Sequence, residues 1–190
     1  MAITYNNLGN MMAERGDVEA ARAHFTRAHD LFVNLLGERH PYVGHALAGL
    51  AEADVLAGDD LAAIANHLAA LEVMESSYGV EHLYLVQPLT GLGEALLRRG
   101  KVDEAAQHLA RAVAIADEHG REDPLVARAL EGLAKIAYRE HDAARARVLY
   151  GRASVIYEAT ARGPGDLDAA ARTRGLAAAA GEGSREGPGH

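Results

Sequence analysis

The chain has 190 residues, of which 49 % are apolar and 24 % charged, and its apolar share leans on Ala and Leu with two Phe and no Trp, a globular and helix-forming composition. A formal charge of −8, from 27 acidic against 19 basic residues, repels phosphate backbones and anionic membrane surfaces, which argues against nucleic-acid and membrane partners. With no cysteine, disulfides, thiolate chemistry and cysteine zinc sites are excluded; no apolar run approaches the ~20 residues of a membrane span, and the expected location is the reducing cytoplasm.

The first predicted helix, near residues 2–15, carries Tyr5, Leu8-Gly9 and Met12; the second, near 17–36, follows Gly16-Asp17 and carries Ala21, Phe25 and Ala28. The loop from Leu36-Gly37 through His40-Pro41-Tyr42 then opens a unit of the same plan, with helices near 41–57 and 59–78. Gly58-Asp59 precedes Ala63, His67 and Ala70 there. A third unit, near 83–99 and 101–119, has Gly100-Lys101 before Ala105, Leu109 and Ala112. In a fourth, near 124–140 and 142–161, His141-Asp142 precedes Ala146, Tyr150 and Ala153.

The loop glycines Gly37, Gly79, Gly120 and Gly163 are spaced by 42, 41 and 43 residues. A leucine follows each thirteen positions on, at Leu50, Leu92, Leu133 and Leu176. Such a period means stacked helical hairpins, in which a small residue lets two helices approach and a bulky residue one turn away fills the groove beside it. Asp123-Pro124 reads as an N-cap with proline at the first helical position. Pro88, within the expected first turns of the third unit, predicts a helix that starts late or kinks. The expected architecture is all-α, a right-handed superhelical solenoid over residues 1–180, with units near 2–37, 41–79, 83–120 and 124–161. A capping helix at 166–180 and a disordered tail at 181–190 complete it.

Tyr5-x2-Leu8-Gly9-x2-Met12 followed by Ala21-x3-Phe25 resembles the tetratricopeptide repeat pattern. The unit of about 42 residues, with its Leu-Gly-x-x-His-Pro loop and Asn6-Asn7-Leu8-Gly9, is similar to the kinesin light chain class of these repeats, which is widespread in bacteria. Val86-Gln87-Pro88-Leu89-Thr90-Gly91-Leu92-Gly93 also resembles the repeat tails of bacterial Ser/Thr kinases of the myxobacterial type. The resemblance implies a protein-protein interaction scaffold and no catalysis. The sequence carries no kinase Gly-rich loop, His-Arg-Asp or Asp-Phe-Gly, so a kinase link would make this chain an interaction region of a larger signalling protein.

First helices of such a stack line its concave side, which makes groove candidates of Asn6, Asn7 and Asn10, then His45, Gly49 and Glu52, then Gln87, Thr90, Gly91, Glu94 and Arg98. The fourth unit adds Arg128, Glu131, Gly132, Lys135, Tyr138 and Arg139, a basic set that predicts a peptide ligand with an acidic segment near the C-terminal units. The light-chain resemblance implies that Asn6 and Asn7 hold a ligand backbone. Gly49, Gly91, Gly132 and Gly175 replace Asn7 in later units, either as a shallow floor for a bulky ligand group or as sites of tight helix packing.

Unit two departs from the pattern at Asp54 and His67, both normally packing positions. If they meet between the helices, the carboxylate raises the His pKa, either as a satisfied buried pair or as the seed of a pocket. Neither a nucleophile phased beside them nor histidines at metal-ligand spacing is present, so neither a cofactor nor a metal is expected. The alternatives to a scaffold are a small-molecule or catalytic helical protein with a pocket near Asp54 and His67, and a fragment of a peptide-pheromone sensor. The abrupt start at Ile3 and Tyr5 also suggests homodimerisation through the first unit.

Overall fold

The computed structural model describes residues 1–161 and 163–182. Among the described residues there is no strand. These residues form nine α-helices: α1 (Ala2–Glu14), α2 (Val18–Leu36), α3 (Pro41–Ala57), α4 (Asp60–Tyr78), α5 (Val86–Arg98), α6 (Val102–Glu118), α7 (Pro124–Arg139), α8 (Ala143–Thr160) and α9 (Pro164–Glu182).

Cap chemistry explains these boundaries. Asp17, Asp59 and Asp142 each accept the backbone N–H three residues on, and so start α2, α4 and α8 alike. Nδ1 of His40 and Nδ1 of His82 accept from Tyr42 N and Tyr84 N, which makes these loop histidines caps. Asp123 does the same for Leu125 and Val126 ahead of Pro124. The glycine column of the hairpin turns, Gly16, Gly58 and Gly100, has φ of 75°, 78° and 76°; His141 holds the same left-handed conformation at 62°, where a Cβ is unfavourable.

Near Pro88 the chain makes a 3-10 turn, Leu83–Leu85, before α5 begins at Val86. The helix thus starts late, and Pro88 falls in its first turn, where a missing N–H breaks no intrahelical bond. The last helix is longer than expected, because α9 continues through Gly181 and Glu182. Ala180 is buried in a cluster with Ala146 and Tyr150, so the end of α9 is packed rather than free. The remainder of the expected disordered tail, 183–190, lies outside the described residues.

Each helix packs on the next, and first helices also pack on one another across units: α1 on α3, α3 on α5, and α5 on α7. The second helices show no comparable mutual packing. An array whose first helices are closer together than its second helices is curved with α1, α3, α5 and α7 on the inside.

The alanines of all four second-helix motifs are fully buried, as are Phe25, His67 and Leu109, while Tyr150 is 5 % exposed. A Cβ on Gly9 of α1 would come within 2.7 Å of the Phe25 ring, and one on Gly49 of α3 within 2.3 Å; Leu109 stands likewise between Gly93 and Gly132. Phe25 and Leu109 are therefore each clamped between a glycine of their own unit and a glycine of the next, and His67 stands against Gly91 of the next unit. The phased leucines follow the same logic. Leu92 and Leu133 are buried, Leu8 and Leu50 half-buried, and Leu176, in the final helix, is 37 % exposed.

Candidate functional site

Two adjoining pockets open along the inner helices. The larger, of about 510 Å³, runs from Asn10 and Glu14 on α1 past Glu52 and Leu56 on α3 to Gln87 and Arg128. The second, of about 350 Å³, is bounded by Glu94 and Arg98 of α5 and by Lys135 and Arg139 of α7, with Arg128 shared between the two. Helical register explains the sharing. Positions 10, 52, 94 and 135 form one column down the concave face, and 14, 56, 98 and 139 form the next column, one turn along each helix.

Several of the candidate side chains are engaged with one another across units. Gln87 Nε2 donates to Glu52 Oε1 at 2.9 Å, and the Arg128 guanidinium donates to both Glu94 carboxylate oxygens at 3.0 and 2.5 Å. Arg98 Nε donates to Asp60 Oδ1 at 2.6 Å. These bonds tie each unit to its neighbour and fix the rotamers that shape the wall. Charge is graded along the face. Glu14 and Glu52 stand in the first pocket; the second holds Arg98, Arg128, Lys135 and Arg139 around the single carboxylate Glu94. Lys135 comes no closer than 3.8 Å to Glu131, and Arg139 makes no ion pair among the described residues.

Other candidates lie elsewhere than expected. Thr90 is fully buried and its hydroxyl has no partner among the described residues, while Glu131, 6 % exposed, is bonded by Arg172 of α9 at 2.9 Å. Their column turns into the helix pair, away from the groove. Tyr138 is 59 % exposed but lines neither pocket. Asn7 is exposed, and its column of Gly49, Gly91 and Gly132 faces the preceding unit's second helix, where Phe25, His67 and Leu109 fill the space a floor would need. Of the two readings of these glycines, tight packing is the one the structure bears out. Gly175, the last of that column, is the exception, with nothing within 4 Å of its Cβ position. Asn6 and His45 line a separate pocket at the rim, with His45 Nε2 3.4 Å from Tyr78 Oη.

Asp54 and His67, whose meeting between the helices the sequence left open, do not pair. Asp54, 2 % exposed, takes Arg22 at 2.6 Å and the Asn66 amide at 2.7 Å. Among the described residues His67 has no partner on either ring nitrogen, and the edge carrying Nε2 lies against Gly91. Its pKa accordingly moves down rather than up, to about 4, through burial first and then the Arg128 and Arg98 charges. The ring is a neutral wall of the larger pocket, and Asp54 lines no part of that pocket.

Glu14, Leu56, Val55 and Leu125 also line the groove, although the sequence reading did not single them out. Glu14 and Leu56 share the column of Arg98 and Arg139, and that equivalence was the available signal.

Similarity to known proteins agrees with this architecture. No curated protein matches the chain. A putative kinesin light chain of Podosopora anserina with nearly identical TPR-like repeats is 22 % identical, with a TM-score of 0.73 over 96 % of this chain and 87 % of that one. BtubC from P. vanneervenii is 17 % identical with a TM-score of 0.68, over 96 % and 80 % of the two chains. The apo form of RapI is 14 % identical with a TM-score of 0.71, over 83 % and 56 %. At such identities the likeness speaks for the fold alone. The tetratricopeptide repeat model matches residues 1–67, 56–118 and 85–159, and with the stacked hairpins and their alanine-lined crossings this makes the chain a member of the tetratricopeptide repeat family.

Proposed function

We propose that the concave face of this chain holds an extended segment of another protein, with acidic side chains of that segment over the pocket between α5 and α7. The observation that carries the reading is the charge there: four cationic side chains and one carboxylate line the pocket, and with Arg128 paired to Glu94 and Arg98 to Asp60, Lys135 and Arg139 remain to meet a ligand, in a chain whose overall charge is −8. A local field opposed to the net charge selects a ligand by complementarity and orients it, because the first pocket presents Glu14 and Glu52. The face is assembled from four inner helices, so an extended ligand can touch several units at once, the usual geometry of solenoid recognition. Tetratricopeptide arrays generally serve as scaffolds, which is why no catalytic role is proposed for Asp54 or His67.

Selection of peptides from a displayed random library tests this, with the chain as bait and Lys135→Glu/Arg139→Glu as the counter-bait. Both residues are exposed, so the variant keeps the fold. Acidic peptides should be enriched, bind less tightly as salt rises, and lose roughly tenfold or more in affinity to the variant. Enrichment of peptides without acidic residues, or equal binding to both baits, contradicts the reading. A peptide-pheromone sensor would share this test, differing only in the source of the peptide.

Three further assignments belong to the same proposal: a cytoplasmic location, residues 1–180 acting as one repeat domain, and a role as the interaction region of a larger signalling protein. The last rests on the resemblance of 86–93 to kinase tails. Self-association through α1 is a separate proposal, motivated by Ile3 and Met11 at 54 % and 52 % exposure. Light scattering that reports only monomers across micromolar concentrations removes it.

A further inference from the structure

Three residues after the loop glycines Gly37, Gly79 and Gly120 stand His40, His82 and Asp123, caps of two different chemistries. Asp123 holds the start of α7 through a carboxylate. His40 and His82 hold the starts of α3 and the 3-10 turn through Nδ1, which accepts from the Tyr42 and Tyr84 amides at 3.2 Å each. An imidazole that accepts at Nδ1 already carries its proton on Nε2, so a second proton can bind only at the cap nitrogen. Protonation therefore turns the acceptor into a donor that faces another donor. A carboxylate, by contrast, is an acceptor throughout the range in which imidazoles titrate.

Rings join the two histidine caps. His40 meets Tyr42 at a centroid distance of 5.0 Å, Tyr42 meets His45 at 6.3 Å, and His45 meets Tyr84 edge to face at 5.1 Å. His82 closes the series, 4.8 Å from Tyr84 and stacked on Tyr78 of α4 at 4.6 Å. Burial and the neighbouring His82 hold the His45 pKa below its ordinary value, so at neutral pH that ring is uncharged. Arg111 of α6 donates to Val80 O, and Arg121, just after α6, donates to Leu83 O. Guanidiniums thus hold the carbonyls on either side of His82 in the chain, each already paired with a carboxylate, Glu75 and Asp123 respectively. From α1 and α2 the neighbours are Ile3, Asn6 and Phe32, none of them charged. Glu38, Arg39 and Glu81 are exposed and make no ion pair among the described residues.

We infer that His40, His45 and His82 form a latch on the second unit that acid releases: shut while the imidazoles are neutral, it frees the starts of α3 and the 3-10 turn when they take up protons. The sign follows from the caps. Only the neutral ring accepts, so the fastening is present above the ordinary histidine range, about 6.5, and is lost as the pH falls through it. His45 acts in the same direction, since its lowered pKa means that the folded cluster resists its proton. A charge on His82 would also face His45 and two guanidiniums whose carboxylates are already engaged. The next boundary lacks the device, because Asp123 stands in the place of His82, and so serves as an internal control. None of the three histidines lines either groove pocket, so the latch stands apart from the proposed ligand site.

Amide exchange measured by nuclear magnetic resonance on the full chain at pH 7.5 and pH 5.5, each rate divided by its intrinsic value at that pH, tests this. The Tyr42 and Tyr84 amides, with those of Val43 and Leu85 that bond to His40 O and His82 O, should lose protection on acidification. One cap is worth on the order of fivefold, while Leu125 and Val126 should change by less than about twofold. Nitrogen-15 spectra of the imidazoles should show His40 and His82 with the proton on Nε2 at pH 7.5. His40→Asn/His82→Asn supplies cap acceptors that do not titrate, so most of the pH response at the four amides should vanish, whatever the variant's protection at pH 7.5. Unchanged protection of the four amides in the wild type at pH 5.5, an equal loss at Leu125 and Val126, a proton on Nδ1 of His40 and His82 at pH 7.5, or an undiminished response in the asparagine variant overturns the latch.

Discussion

Replacing His67 by Leu should stabilise the protein, by more in acid than at neutral pH. The ring is fully buried and neither nitrogen finds a partner, so the folded state carries an unmatched polar group, worth about 1–3 kcal/mol. Leucine suits the position, because Leu109 sits at the equivalent place between Gly93 and Gly132. The pH term adds to this. The folded pKa is about 4 against an ordinary 6.5, so unfolding takes up a proton between those two values and stability falls as the solution is acidified through that window. From these two pKa values His67 should make the wild type about 2 kcal/mol less stable at pH 5 than at pH 7, a loss the leucine variant escapes. Urea unfolding followed by far-ultraviolet circular dichroism at both pH values measures this. With a denaturant slope of about 2 kcal/mol/M, the neutral-pH gain is a midpoint shift of roughly 0.5–1.5 M. A variant less stable than wild type at pH 7, or one with the same pH 5 to pH 7 difference, would refute the reasoning by showing that His67 makes a bond the structure does not contain.

Two glycines in helix interiors should respond oppositely to the same change. Gly91→Ala places a Cβ 2.3 Å from His67 Nε2 and should lose about 1–3 kcal/mol to overpacking, whereas Gly151→Ala meets nothing within 4 Å and should gain up to ~1 kcal/mol of helix propensity; thermal melts of the pair compare them directly. His141→Gly relieves a left-handed residue with φ of 62° and should raise stability by roughly 1 kcal/mol, seen as a higher urea midpoint. Asp123→Ala removes the acceptor of the Leu125 and Val126 amides and should lower the midpoint by about 1 kcal/mol of stability.

The fold was legible because the repeat states the same contact several times. Ala21, Ala63, Ala105 and Ala146 are all fully buried, and one observation of Ala-x3-large-x2-Ala would have been weak where four are decisive. The groove was legible only in part. Register alone places Glu52, Gln87, Glu94, Arg98, Arg128, Lys135 and Arg139 on the wall. It does not say that the preceding unit's second helix reaches forward to cover the glycine column, which is set by the tilt between units. Nor does it say that Thr90 is fully buried or that Arg172 of α9 takes up Glu131. The Asp54 and His67 pairing failed because Arg22 and Asn66 lie nearer the carboxylate, a competition among three helices that no single-helix pattern encodes. The rim pocket was not legible because it joins residues from α1, α2, α3 and the 3-10 turn, elements that no single-helix pattern brings together.

The most direct test of the account is a photo-crosslinking map made with an acidic peptide obtained by selection, bearing a benzophenone beside its acidic residues. Crosslinks on the inner face, at Leu97, Arg98, Lys135 or Arg139, are the predicted result. Crosslinks confined to exposed residues of the second helices, such as Leu68 of α4 or Val155 of α8, would place the ligand on the outer side and contradict it.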